Sequence, residues 1–178
     1  MSGSTNVSTK ITQTENKCDK KITKTISNII STIVEENKSL EVPKETLDYH
    51  KKLSFFSKIP ASLSVGKYIE RIIKYTHLEE STFIVSLIYI DRICEYNDII
   101  LSDFNIHRII FSSVVLAIKI NEDDYYSNSF YSKVGGIAAK ELNALEFDFV
   151  RLIRYNLFVN QNIYEKYKVF ISCYKTSD

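Results

Sequence analysis

Lys119 and Glu146 sit where charge is costly, each on the rim of a strongly apolar segment. Desolvating an ion without a partner is expensive, so something must meet them. If the two segments are helices of one bundle, the pair could present a joined charge to another protein. The tetrad Tyr89-Ile90-Asp91-Arg92 adds a second charged edge inside an apolar block. Plainer readings stand beside these. Lys119 can complement the C-terminal end of a helix dipole while its stem covers apolar surface. Glu146 can be a solvated rim residue, and Asp91-Arg92 an ordinary helix edge.

Other residue types with chemical potential do not assemble into a catalytic constellation. His50, His77 and His107 fall in different blocks, without a metal-ligand neighbour at helical spacing. Gly135-Gly136 lacks both phosphate-loop patterns, and Glu122-Asp123-Asp124 is not followed by calcium-loop spacing. Cys18, Cys94 and Cys173 are odd in number and far apart, which points away from zinc and from a disulfide framework and toward a reducing compartment. The formal charge is +1, from 23 basic and 22 acidic residues, and no basic stripe stands out, so a nucleic-acid partner is not expected. The tyrosines and phenylalanines have no basic interleaving of the kind a stacking platform needs. No enzyme, metal or cofactor is expected on this chain.

The elements that would position the charges are helices. With 4 Gly and 2 Pro in 178 residues there is little material for the turns of an all-β protein, while 44% hydrophobic residues suffice for a core. Residues 1–19 are polar and low in complexity and read as a disordered tail without a signal-peptide core. Ile22, Ile26, Ile29, Ile30, Ile33 and Val34 then recur at helical steps. A polar linker with Pro43 carries an apolar patch at Leu53, Phe55 and Phe56 and ends at Pro60. Ser64 is placed to cap a helix holding Val65, Tyr68, Ile69, Ile72 and Ile73. Glu79-Glu80 opens an apolar block from Phe83 to about Tyr96, and Ser102 or Asp103 can cap the next, from Phe104 to about Ile120. That block is apolar nearly all round and belongs at the centre of a bundle. Asn121 to Asn128 reads as a loop, Ala138 to Tyr155 as a helix, and Tyr164 to Tyr174 as a final short one. The longest apolar runs are too short to cross a bilayer.

On a wheel of about 100° per residue, Leu145, Phe149 and Leu152 share one side, with Glu146, Val150 and Leu157 within roughly 40° of each other beside it. A mixed stripe next to a core stripe is what an interface looks like.

In order and spacing these blocks resemble a cyclin box, specifically that of the P-type cyclins, called U-type in plants. The resemblance runs over roughly residues 54–160. It is carried by Ser64-Val65 with Tyr68, Arg71-Ile72 and Lys74-Tyr75, by Tyr89-Ile90-Asp91-Arg92, and by Asn105-Ile106-His107-Arg108. Ala117-Ile118-Lys119, Asp123-Asp124-Tyr125-Tyr126-Ser127-Asn128, Tyr131-Ser132-Lys133-Val134-Gly135-Gly136 and Glu141-Leu142-Asn143-Ala144-Leu145-Glu146 complete it. The implied fold is all-α: a five-helix cyclin box around a central buried helix, with an extra N-terminal helix. The implied organisation is a tail over 1–19, an N-terminal helix and linker over 20–60, and the box with a short C-terminal helix over 61–178. The implied function is that of a non-catalytic regulatory subunit, a heterodimer with a cyclin-dependent kinase, acting in the nucleus or cytoplasm without nucleic acid or membrane. Lys119 and Glu146 match the lysine and glutamate with which cyclins grip the kinase near its C helix. Ile120, Val150 and Leu157 match the apolar contacts that receive that helix.

One departure from the family pattern bears on Asp91. Cell-cycle cyclins pair that acid with an arginine of an MRAIL segment whose apolar patch docks substrate motifs, whereas the equivalent Ala61-Ser62-Leu63-Ser64-Val65 carries none. A hydroxyl or a backbone amide is expected to take the arginine's place, and substrate docking at that patch is not expected. Two other functions share the fold: a transcription-factor module, which would need a basic face, and a scaffold that binds a kinase without activating it.

Overall fold

A computed structural model describes residues 18–174 as eight helices. In chain order they are α1 (Lys20–Asn37), α2 (Lys44–His50), α3 (Val65–Thr76), α4 (Glu80–Asn97), α5 (Ile106–Asn121), α6 (Asn128–Gly135), α7 (Ala139–Leu152) and α8 (Gln161–Cys173). The five helices expected of the box are α3 to α7. The expected tail lies outside the described residues, except for Cys18 and Asp19. The Asp19 side chain accepts from Lys21 N and caps α1.

The central helix is α5, packed against α3, α4 and α7. Val114, Ala117 and Ile118 are among its buried residues, which run from Ile106 to Ile118 with only His107 and Arg108 part-exposed. The segment is buried because no angular sector of it is polar enough to face water. The helix starts two residues after the expected Phe104 and ends at Asn121, one residue past the expected Ile120. Phe104 precedes the helix, stacked on Phe56 with ring centroids 5.4 Å apart, and Ile120 is exposed. Neither Ser102 nor Asp103 caps it. Asn105 occupies the cap position and turns its amide back on the preceding loop, accepting from Ser102 N and donating to Ile100 O. Ser64 does cap α3, accepting from Lys67 N. Gly135 closes α6 against the Phe111 ring, where an added Cβ would come within 2.3 Å of a ring carbon.

Two outer elements join the same core. Ile26, Ile30 and Val34 of α1 are buried with Thr23 and Ser27, whereas Ile22 and Ile29 are half-buried and Ile33 is exposed. The helix is therefore rotated from a purely isoleucine face toward its small hydroxyl residues. These let α1 approach α3 closely: a Cβ added to Gly66 would lie 3.8 Å from that of Ser27. The linker is likewise more ordered than its polarity suggests. It contains α2, His50 Nε2 bonds with Asp98 O at 2.8 Å, and Phe55 is buried edge-on against Phe149.

Candidate functional site

Lys119 and Glu146, 27 residues apart in sequence, meet at the end of the bundle where α5 stops. Lys119 Nζ lies 2.6 Å from Glu146 Oε1 and also donates to Asn128 Oδ1 at 2.6 Å. The Asn128 amide donates in turn to Glu146 Oε2 and to Asn143 Oδ1. One lysine, one carboxylate and one amide thus tie α5, α6 and α7 together. Ser127 takes the capping role for α6, its hydroxyl accepting from Phe130 N, which leaves the Asn128 side chain free for the pair. The side chains of Lys119 and Glu146 retain 24% and 14% of their exposure. They are neither core residues nor freely solvated ones. An ammonium has three donors and a carboxylate about four acceptor sites, so each keeps capacity for a further partner.

Several exposed apolar residues lie close to the cluster along the chain. Ile120 follows Lys119 and is exposed, and Phe147 follows Glu146 and is 67% exposed. Val150 stands one turn beyond Glu146, half-buried against the core. Tyr155 and Phe158, in the segment after α7, are 70% and 79% exposed.

Leu157 reaches this region by a route the helical wheel does not describe. The helix stops at Leu152, and Arg154 and Tyr155 take the left-handed conformation at φ 56° and 57°, breaking the periodicity. Leu157 is half-buried, placed by α4. Tyr89 Oη donates to Leu157 O at 2.8 Å, Arg92 Nη1 to Asn156 O at 2.7 Å, and Asn97 Nδ2 to Leu152 O at 3.0 Å. Arg154 reciprocates, donating to Tyr96 O with its guanidinium over the Tyr96 ring. In the same tetrad Asp91 accepts a hydrogen bond from the Tyr167 hydroxyl of α8. A hydroxyl therefore fills the place of the missing arginine. The tetrad acts as a clasp: two of its side chains hold the turn after α7 and a third holds α8.

Sequence reasoning missed Asn128, Phe147, Tyr155 and Phe158. Asn128 was hidden as the end of a polar loop, although Ser127 before it is a cap signal. Phe147 was legible as a large apolar residue on the polar side of the α7 wheel.

The arrangement defines a class first. It is an all-α bundle, and among the described residues no His, Cys, Asp or Glu cluster could hold a metal. The family model for cyclins matches residues 5–157, and the chain belongs to the cyclin family. It is 34% identical to Cyclin-U1-1 of Arabidopsis thaliana over 144 residues, 80% of this chain and 68% of that one. It is 36% identical to Cyclin-U4-2 of the same plant, again over 80% of this chain but 65% of the relative. Cyclin-P3-1 of Oryza sativa subsp. japonica is 31% identical over 74% of this chain and 57% of its own length. The chain thus spans about two thirds of the length of these two Arabidopsis relatives and little more than half of the Oryza one. Cyclins are regulatory subunits rather than enzymes, and membership implies in general terms a regulatory role toward a cyclin-dependent kinase. No helix among the described residues is long and apolar enough to cross a membrane.

Proposed function

We propose that this chain is a P-type (plant U-type) cyclin that binds and activates a cyclin-dependent kinase as a heterodimer in the nucleus or cytoplasm. The contact surface is formed by Lys119, Ile120, Glu146, Val150 and Leu157. The observation that carries the reading is the Lys119–Asn128–Glu146 cluster, held together before any partner arrives and flanked in the chain by the exposed Ile120 and Phe147. Preorganised charges lose little conformational entropy on binding. Here the remaining ammonium donor and carboxylate acceptors meet main-chain groups beside the kinase C helix, while Ile120, Val150 and Leu157 receive its apolar face. The cyclin binds the C-helix-in state more tightly than the C-helix-out state, so binding shifts the kinase population toward the former. In that state the kinase's own Lys–Glu ion pair is complete and its activation loop ordered.

The test is capture of the kinase from native lysate, followed by binding and phosphotransfer assays on the reconstituted pair. Lys119→Ala and Glu146→Ala should each weaken binding by roughly 2–5 kcal/mol, the range for breaking a buried interfacial charge contact. Val150→Asp should weaken it by burying an unpaired charge. The free chain should lose less stability than the complex loses affinity. Variants that melt the chain yet leave binding by the folded fraction intact would make the cluster structural only. Tight binding without a rise in phosphotransfer would make the chain a scaffold.

A further inference from the structure

The near-neutral total charge conceals an uneven distribution. Lys67, Arg71 and Lys74 follow one another at helical steps of four and three on the exposed face of α3. Opposite them stands Lys133 of α6, and between the two helices runs a groove of about 680 Å³. Glu70 is the only acid lining it. Among the described residues none of these four cations forms a salt bridge with a carboxylate. Arg71 is nevertheless oriented, because one Nη2 hydrogen is donated to Lys133 O at 3.0 Å. The rest of its planar fork is left for another acceptor, the geometry that suits a phosphate or a carboxylate. Tyr75, Phe130 and Val134 line the same groove and offer apolar contact beside the charge. A second groove of about 810 Å³, between α1 and α3, shares Glu70 and Lys74 with the first and adds Lys20 and Lys24. None of the residues lining either groove belongs to the Lys119–Glu146 cluster.

We propose that the α3–α6 groove docks a phosphorylated peptide segment, its phosphate held by Arg71, Lys74 and Lys133 and a neighbouring apolar side chain lying on Tyr75 and Phe130. Recognition of phosphorylated motifs by arginine-centred clusters is a general mode of peptide binding. A groove between two helices admits an extended chain, and its continuation toward Lys20 and Lys24 gives that chain a direction. A duplex nucleic acid would need basic charge spread along many phosphates, whereas Arg71, Lys74 and Lys133 converge on one groove between two helices. A membrane surface would meet the cations on a protruding face rather than in a recess. That the peptide belongs to a kinase substrate rests on the kinase-regulatory reading above. Docking itself does not.

The experiment is a nuclear magnetic resonance titration of the full chain. The probes are a short peptide library with phosphothreonine fixed at its centre, the same library with threonine, a duplex DNA oligonucleotide, and vesicles containing phosphatidylserine. The phosphorylated library should shift the amides of residues 67–75 and 130–134. Arg71→Ala and Lys133→Ala should each weaken that binding tenfold or more without altering the spectrum elsewhere, and Lys119→Ala should leave it unchanged. Equal binding of both libraries would overturn the proposal, as would shifts scattered over lysines outside the groove. Tighter binding of the oligonucleotide or the vesicles through Arg71 would overturn it in favour of that partner. If the phosphopeptide binds but Arg71→Ala leaves phosphorylation of substrates by the captured kinase unchanged, docking stands and its link to a kinase substrate fails.

Discussion

At the scale of single residues, Asn128 decides whether Lys119 and Glu146 form an ordinary ion pair or a constrained one. A part-exposed pair alone gains little, because solvent screens it and two long side chains must be ordered. Asn128 bonds both partners, so removing it leaves one carboxylate oxygen and the ammonium each short of a contact. In a double-mutant cycle by urea denaturation, Asn128→Ala and Glu146→Ala should couple by about 1 kcal/mol, within the range for residues of one network. Additive costs would mean that Asn128 is merely adjacent. His107 supplies a second test at this scale. Its Nε2 lies 2.7 Å from Leu63 O and must donate to that carbonyl, while Nδ1 is buried without a partner. Protonating Nδ1 would place an unsatisfied N–H there. Burial accordingly lowers the ring's pKa from its ordinary 6.5, against the opposing pull of the Leu63 carbonyl and the Asp103 charge. With the folded pKa depressed, the unfolded ring takes up its proton first as pH falls. The contribution is therefore full above 6.5 and is lost on acidification below it. Thermal melts from pH 7.5 to 5.5 should show a smaller loss of stability for His107→Gln than for the parent chain. Parallel losses would show that His107 does not titrate differently in the two states.

Among the elements, α4 does more than fill space. Its apolar run was legible as a buried helix, and the tetrad within it was legible as a motif. What these side chains hold was not, because Tyr89 and Arg92 of the tetrad, and Asn97 beyond it, reach carbonyls more than fifty residues downstream. The helical wheel failed at Leu157 for the same reason: it presumes one helix through a point where Arg154 and Tyr155 reverse the backbone. The reversal places two non-glycine residues in a region that costs each of them about 1 kcal/mol or more. The clasp from α4 is what offsets that cost. Arg92→Ala should therefore act at a distance. Hydrogen exchange should speed up across residues 153–159 while the amides of α5 remain protected, and kinase binding should weaken with Lys119 and Glu146 untouched. Tyr89→Phe should produce a milder version, near the 1 kcal/mol of one neutral hydrogen bond. Unchanged exchange at Leu157 and Phe158 in Arg92→Ala would mean that the turn holds itself.

On the scale of the whole molecule, the core was readable and the surface only partly so, because the two are written in different ways. Burial is recorded in local periodicity, which is why α5 and the apolar faces of α3 and α7 follow from spacing. A surface is assembled from residues that tertiary packing alone brings together, such as Lys133 with Arg71 or Asn128 with Glu146. The N-terminal helix lies between these cases. Its isoleucines announce an amphipathic helix, but which of two adjacent stripes turns inward depends on the Ser27–Gly66 approach, which no single-helix pattern contains. Ile26, Ile30 and Val34 are nearly inaccessible and belong to the same cluster as Ile69, Ile72 and Phe83. α1 is thus part of one core rather than an appendage on it, and two observables follow. Ile26→Ala should cost about 2–5 kcal/mol, as large-to-small changes in a packed interior do, whereas Ile33→Ala should cost well under 1 kcal/mol because that side chain is exposed and of little packing value. Both variants should unfold in a single transition with coincident helical and aromatic signals. An early, separate loss of helix in Ile26→Ala, with the aromatic signal of the box intact, would show instead that α1 docks on an independently stable bundle.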